Sequence, residues 1–184
     1  MRVLVLTLCV VALSCTSGKP PSFPPDVAPH GVVVSASSDA SKVGADILHK
    51  GGNAIDAAVA TAFALAVTFP EAGNIGGGGF MLIHFPDGRD PVFIDYRETA
   101  PAAVTAQTFF KKEDRTPHRL AGVPGTVRGL ALAHDRYGKL PWRDLIQPAI
   151  RLAADGFTIN ADLADALNRV TKAHADKAEL QRGL

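Results

Sequence analysis

The apolar residues of this chain fall into short runs whose spacing predicts helices around a small sheet. Gly31–Ser35 is a β-branched run and predicts a first strand. Ser38 and Asp39 are placed to cap the helix that follows, and Gly51 and Gly52 are placed to end it. The apolar positions of that helix follow helical spacing: Ala40, Val43, Gly44, Ile47 and Leu48.

The next part of the chain predicts a buried helix and a hairpin. Ala54–Val67 is apolar almost all round, which is typical of a helix pressed between two layers. Asn53 and Asp56 have the spacing of a capping box, which favours a structural over a catalytic role for Asp56. Two strand-like runs, Phe80–Phe85 and Pro91–Tyr96, flank a Pro-Asp-Gly-Arg turn and predict a β-hairpin whose apolar strands are covered by helices.

The second half of the chain predicts further helices. They are Pro124–Tyr137, Pro141–Ala154 and a last helix capped by Asn160. Pro148 is expected to kink the second of them or to divide it into two. The inward positions are expected to be Val127, Leu130 and Ala131 in the first, and Leu163, Leu167 and Val170 in the last. The predicted fold class is therefore α/β (α+β), with helices around a sheet core.

The run Gly76–Gly79 lies between the buried helix and the hairpin, within the stretch Glu71–Arg97 around which the chain is organised. Consecutive glycines suit positive φ angles or the close approach of another backbone or a ligand. A packing turn is the favoured interpretation, and a wall of N–H groups facing an anion is the alternative. A phosphate-binding P-loop is disfavoured, because no Gly-Lys-Ser/Thr follows the glycines.

Composition narrows the class of protein. The 184 residues are 47% hydrophobic and 20% charged, which is typical of a globular domain with a packed core. The formal net charge of +1 gives no reason to expect nucleic acid as a partner. The 6 histidines are scattered, and no spacing typical of a metal site is present, so we expect no metal and no cofactor.

The N-terminal region is predicted to direct export. Residues 1–15 have a basic start and an apolar run, Val3–Leu13, too short to span a bilayer and typical of a signal peptide. Cys15 ends a permissive lipobox, which predicts lipidation there, with ordinary signal cleavage as the alternative. Residues 16–30 are rich in proline and predict an extended linker, or a disordered start with no further role. The only 2 cysteines are Cys9 and Cys15, so the exported domain has no internal disulfide.

Arg97 is the strongest candidate binding residue. It follows a buried strand directly, where its planar guanidinium could hold a carboxylate through two hydrogen bonds. A structural ion pair with Glu98 or another acid is an equal alternative on these residues alone. The folded part offers no Gly-x-Ser-x-Gly elbow, no Ser-x-x-Lys and no cysteine nucleophile. The residues by themselves therefore assign no reaction.

Several ordered motifs nevertheless resemble those of the γ-glutamyltranspeptidases, also called glutathione hydrolases. The resemblance covers Gly31 to about Ala166. The matching segments are GGNAIDAAVA (51–60), AGNIGGGGFM (72–81), DYRETAP (95–101), VPGTVRG (123–129), YG (137–138) and QPA through LA to DGF (147–157).

This resemblance implies a fold and a chemistry. The fold would be part of an αββα N-terminal-nucleophile hydrolase sandwich, incomplete in this chain. Members are made as a proenzyme that cuts itself into a large and a small subunit, and the freed threonine attacks the γ-glutamyl amide of glutathione or a related donor. The γ-glutamyl group then passes to water, an amino acid or a peptide. The arginine matched by Arg97 holds the α-carboxylate of that group.

The resemblance also bounds what this chain is expected to do. Residues 31–184 would be the N-terminal portion of the large subunit, with the small subunit of the same precursor as partner. None of its threonines matches the catalytic motif, so the chain alone is expected to be inactive and to expose sheet edges. The expected location is the bacterial periplasm or cell envelope, with membrane attachment through a lipid at Cys15. The alternatives are a related amidase, such as a cephalosporin acylase or a poly-γ-glutamate-processing enzyme, and a non-catalytic lipid-tethered binding module.

Overall fold

The computed structural model describes residues 31–111 and 119–174. Within these ranges the chain forms helices on one side of a two-stranded antiparallel sheet. The helices are α1 (Ser38–His49), α2 (Ala54–Thr68), α3 (Thr126–Tyr137), α4 (Trp142–Asp155) and α5 (Ala161–Ala173). The strands are β1 (Phe80–Ile83) and β2 (Val92–Asp95). A mixed fold of helices around a small sheet is what the sequence predicts.

Helix α2 is the centre of the core. It packs against α1 and α4 and also touches α3. Val59, Ala60 and Ala64 are fully buried, and the Phe63 ring meets the Trp142 ring edge-on with 5.6 Å between centroids. Small residues along α2 let its neighbours approach closely, which is why so alanine-rich a helix forms a dense core.

Helix α1 ends as its sequence predicts and begins one residue earlier. The N-cap is Ser37, whose side chain accepts a hydrogen bond from the N–H of Ala40, so the cap is neither Ser38 nor Asp39. At the other end Gly51 has φ +88°, and the N–H of Gly52 donates to the carbonyl of Ile47 at 3.0 Å. This is a Schellman motif, which satisfies the last carbonyls of the helix.

The predicted capping box at the start of α2 is confirmed, and Asp56 does more than cap. Its carboxylate accepts from the N–H of Asn53 at 3.0 Å, and the Asn53 side chain accepts from the first turn of α2. The same carboxylate accepts from the N–H groups of Lys139 at 3.0 Å and Leu140 at 3.2 Å. Asp56 is fully buried, so one side chain joins the start of α2 to the turn between α3 and α4.

The hairpin has one covered and one bare face among the described residues. The strand partners are Phe80 with Asp95, Met81 with Ile94, Leu82 with Phe93 and Ile83 with Val92. Ile83 and Ile94 are buried against the helices. On the opposite face the rings of Phe80 and Phe93 stack with centroids 5.5 Å apart, and Leu82 is 72% exposed. The expectation that helices cover these strands is therefore met on one face only.

The predicted first strand, Gly31–Ser35, is extended but is not a strand. Val33 packs against the core, whereas Val32 is 61% exposed and Val34 is 85% exposed. The alternation that suggested a strand is real, but within 31–111 and 119–174 no other strand pairs with this segment. A period of two predicts which side chains are buried and cannot supply the partner that defines a strand.

Pro148 does not divide α4, which is one continuous helix from Trp142 to Asp155. The proline removes one intrahelical hydrogen bond, which costs stability in an isolated helix. Pro148 is buried together with Leu145 and Ala149 on the face of α4 that packs against α2. Tertiary packing therefore holds the helix together through this position.

Two valines predicted to face inward are exposed, Val127 at 44% and Val170 at 51%. Helix α3 turns small residues inward around Leu130 because it lies very close to the ring of Tyr96. That ring leaves no room for a Cβ on Gly129. In α5 only Ala166 is buried, so the end of this helix that carries Val170 faces solvent in the described part of the chain.

The predicted signal peptide (1–15), its cysteines Cys9 and Cys15, and the linker (16–30) lie outside the described residues and stay predictions. The described part of the chain contains no helix with both the length and the apolar character needed to cross a membrane.

We expect Asp56→Ala to destabilise the folded protein by at least about 3 kcal/mol, because three backbone N–H groups lose their buried acceptor. Chemical denaturation of the full-length protein measures this change. Asp46→Ala is the control, since Asp46 forms an exposed ion pair with Lys42 at 3.0 Å whose loss costs about 0.5 kcal/mol or less. Equal effects of the two substitutions would contradict the role given to Asp56.

Candidate functional site

Arg97 lies just past the end of β2, where the chain leaves the hairpin. Its backbone N–H donates to the carboxylate of Asp95 at 3.0 Å, which fixes a turn at the strand end. The side chain is 62% exposed, and its Nε–H donates to Glu98 at 3.3 Å. The guanidinium carbon is 5.7 Å from the centroid of the Phe80 ring, so the charge lies beside the bare face of the hairpin.

The ion pair between Arg97 and Glu98 engages only one edge of the guanidinium. Among the described residues, Nε is the one nitrogen of this side chain with a hydrogen-bond partner. The two terminal nitrogens form the fork that binds a carboxylate in two parallel hydrogen bonds. The structural and the binding interpretations of Arg97 are therefore compatible, because one side chain has donors for both.

Two glycine backbones abut the chain at Arg97, and we call this pair, Gly78 and Gly125, the glycine collar. A Cβ on Gly78 would lie 2.7 Å from the carbonyl oxygen of Tyr96 and 2.8 Å from Cα of Arg97. A Cβ on Gly125 would overlap the same Tyr96 carbonyl. Both obstacles are backbone atoms, which cannot rotate away. Only glycine fits at these two positions.

This geometry supports the packing interpretation of the run Gly76–Gly79. None of these glycines has a positive φ, so the requirement is close approach. The carbonyl of Gly79 accepts the N–H of Tyr96 at 3.0 Å, and a Cβ on Gly79 would lie 2.9 Å from the ring of that tyrosine, which continues the contact with the hairpin. The glycines join the loop after α2 to the hairpin and to the start of α3.

Asn74 and Thr126 hold the two halves of the collar together. The Asn74 side-chain oxygen accepts from the N–H of Gly77 at 2.9 Å and from the hydroxyl of Thr126 at 2.6 Å. The carbonyl of Gly77 accepts from the N–H groups of Gly125 at 2.8 Å and Thr126 at 3.0 Å. Since α3 has no side-chain cap, that carbonyl satisfies its first donors. Sequence reasoning missed both residues, although each lies inside a motif quoted above.

A cavity of about 280 Å³ opens beside β2 and is lined by Asp95, Arg97 and Arg128 together with Tyr96 and Gly125. Its charged groups are two guanidiniums and one carboxylate, a balance that favours an anionic ligand. Burial raises the pKa of the half-buried Tyr96 phenol above its ordinary value. That hydroxyl donates to the carbonyl of Phe80 at 3.4 Å, so Tyr96 braces the hairpin as a neutral group.

The described residues bring no metal site together. Nowhere in 31–111 or 119–174 do three or more His, Cys, Asp or Glu side chains form a group suited to a metal ion. Arg97 stays the candidate binding residue of this part of the chain.

Comparison with known proteins identifies the family. The model of the family Gamma-glutamyltranspeptidase matches residues 40–182. The glutathione hydrolase proenzyme of Escherichia coli is 50% identical over 152 residues, covering 79% of this chain and 26% of the relative. The enzyme of the same name from Pseudomonas sp. is 47% identical over 174 residues, covering 90% and 30%. The chain belongs to the γ-glutamyltranspeptidase family.

Solved structures agree on the fold. The Helicobacter pylori γ-glutamyltranspeptidase matches with a TM-score of 0.74 and 40% identity, over 85% of this chain and 46% of that one. The Bacillus anthracis transpeptidase CapD matches at 0.64 and 39%, over 77% and 45%. A Bacillus halodurans cephalosporin acylase matches at 0.69 and 29%, over 83% and 31%. The described residues form part of the αββα N-terminal-nucleophile hydrolase sandwich, as the motifs implied.

The chain spans only about a quarter to a third of the length of the curated relatives reported above, 26% and 30%. What those whole proteins do is therefore carried to this chain only as a proposal.

The pKa of Glu98 lies below its ordinary value of 4.5, first because its own backbone N–H donates to the carboxylate and then because Arg97 does. Ionised Glu98 therefore stabilises the folded state above its unfolded pKa, and this contribution is lost as the pH falls through the folded pKa.

We expect an NMR titration of the full-length protein to give a Glu98 pKa below 4.5. Arg97→Gln should raise this pKa only in part, since the backbone hydrogen bond remains. A Glu98 pKa at or above 4.5 in the unsubstituted protein would contradict the ion pair.

Proposed function

We propose that the protein to which this chain belongs transfers and hydrolyses γ-glutamyl groups. It cleaves the γ-glutamyl amide of glutathione and related donors and passes the group to water, an amino acid or a peptide. Membership of the family supports this, together with relatives named glutathione hydrolase proenzyme. The observation that carries it is Arg97, an exposed guanidinium at the exit of β2 with its terminal nitrogens free among the described residues.

In this proposal Arg97 binds the α-carboxylate of the γ-glutamyl group. A bidentate contact fixes the γ-glutamyl substrate by its α-carboxylate and keeps its γ-amide at a constant distance from the guanidinium. The carboxylate of Glu98 holds the third edge of the guanidinium, which limits the rotation of the fork. The ring of Phe80 borders the same space and lowers the exposure of the bound ion pair to water.

The nucleophile comes from a second chain of the same precursor. Relatives named proenzymes support a precursor that is cut. From the motif resemblance we propose that the precursor cuts itself and that its small subunit begins with the catalytic threonine. Its hydroxyl attacks the amide carbon while its own α-amine takes the proton, and backbone N–H groups stabilise the oxyanion. The C–N bond then breaks, the amine leaves with that proton, and the γ-glutamyl ester on the threonine passes its acyl group to water, an amino acid or a peptide. The bare face of Phe80, Leu82 and Phe93 suits the packing of a second sheet there.

Export follows as a further part of the proposal. The basic and apolar start of the sequence supports a location in the periplasm or cell envelope. Lipidation at Cys15, with attachment to the membrane, is proposed on the lipobox alone.

A related amidase is the second candidate function. The similarity to the cephalosporin acylase and to CapD favours it, since both match most of the described fold. The two functions differ in whether the substrate carries the α-carboxylate that Arg97 would bind.

We expect Arg97→Ala in the full-length protein to raise KM for a γ-glutamyl anilide roughly 10- to 100-fold, because a charge-assisted bidentate contact is lost. Arg97→Lys should recover only part of this, since an ammonium cannot form the planar fork. Steady-state kinetics measures both.

Arg89→Ala is the matched control, since Arg89 is an exposed arginine of the same hairpin that pairs with Asp87 at 2.8 Å. Its KM should equal that of the unsubstituted protein. An unchanged KM for Arg97→Ala, or turnover of a cephalosporin side-chain amide in place of the γ-glutamyl anilide, would refute the proposal.

A further inference from the structure

The direction of the Arg97 guanidinium depends on its backbone. Its side chain is 62% exposed, donates to the exposed carboxylate of Glu98 at 3.3 Å, and lies beside the bare hairpin face with its guanidinium carbon 5.7 Å from the centroid of the Phe80 ring. Neither contact buries the guanidinium or surrounds it with packed atoms. A long exposed side chain of this kind keeps a fixed reach only if the main chain from which it projects is fixed.

The main chain at Arg97 is fixed by the glycine collar. Gly78 lies against Cα of Arg97 and against the N atom of Glu98, where an added Cβ would be 2.8 Å from each. Gly125 lies against the carbonyl of Tyr96 and, at 3.1 Å for an added Cβ, against that of Arg97. Any movement of one collar glycine relative to the other therefore changes the room available to the Arg97 backbone.

The two collar glycines come from distant parts of the chain, and one side-chain oxygen bridges them. Asn74 accepts from Gly77, next to the first collar glycine, and from the hydroxyl of Thr126, next to the second. Thr126 is 6% exposed, so its 2.6 Å hydrogen bond is shielded from water. Loss of that hydroxyl leaves the Asn74 oxygen with the N–H of Gly77 as its remaining donor and breaks the bridge between the two collar segments.

We infer that Asn74 and Thr126 are positioning residues for substrate binding, acting on Arg97 through the glycine collar without touching the substrate. The inference rests on the proposed function of Arg97. It assigns to the loop after α2 and to the first turn of α3 a joint role in setting the affinity for the γ-glutamyl carboxylate.

The test is a double-mutant cycle in the full-length, processed protein with a γ-glutamyl anilide. Thr126→Val removes the hydroxyl and keeps the shape, and it should raise KM about tenfold with less change in kcat, as a small misplacement of a binding group does. In an Arg97→Ala background the same substitution should leave KM unchanged, because the group that it positions is gone. Thr126→Ser keeps the hydroxyl and should give the KM of the unsubstituted protein. Asn74→Ala should raise KM, and Asn74→Asp, which keeps the accepting oxygen, should not.

Thr68→Val is the matched control, since Thr68 is 5% exposed and donates its hydroxyl to the carbonyl of Ala64 at 3.1 Å, within α2. It should lower stability without raising KM. The inference is wrong if Thr126→Val raises KM equally in both backgrounds, or if it behaves as Thr68→Val does. If Arg97→Ala alone leaves KM unchanged, the proposed function is wrong and this inference falls with it.

Discussion

The close approach of three backbones at the exit of β2 is the constraint on which the rest of the site depends. The chain at Tyr96 and Arg97 meets Gly78 from the loop after α2 and Gly125 at the start of α3. A side chain at either glycine would overlap main-chain atoms, so the contact exists only because both are glycine. The conformational freedom that glycine loses on folding is offset by hydrogen bonds that this proximity allows, such as those to the carbonyl of Gly77.

A second constraint sets the frame around this contact. The buried carboxylate of Asp56 joins the start of α2 to the turn between α3 and α4, and among the residues that the structure describes it forms no ion pair. Backbone N–H groups alone satisfy it, as at the N-terminus of a helix. The position of α3 is thus held at its first turn by Gly77 and just beyond its end by Asp56, and these contacts also restrict movement of the glycine collar.

Much of this could be predicted from sequence because the signals were local. The capping box of Asn53 and Asp56, the glycine that ends α1 and the hairpin each depend on residues that are near one another in the chain. One failure was local, since the N-cap of α1 is Ser37 and not Ser38 or Asp39. The others have one physical origin, which is tertiary contact. Gly31–Ser35 lacked a partner strand, Pro148 was held in α4 by packing, and Val127 faced outward because Gly129 had to meet Tyr96.

The candidate site shows the same division. Arg97 was found from its place after a strand and from a family motif, whereas Asn74 and Thr126 are 52 residues apart and meet only in the fold. No spacing rule joins an asparagine in one loop to a threonine in a distant helix. Their position inside two of the quoted motifs was a signal of importance but not of contact.

The most direct measurement is a crystal structure of the full-length, processed protein with L-glutamate bound. We expect the Arg97 guanidinium to donate two hydrogen bonds to the α-carboxylate of the bound L-glutamate, with the backbone of residues 96–98 still against Gly78 and Gly125. A ligand carboxylate held by other residues, with Arg97 remote from the new amino terminus, would contradict it.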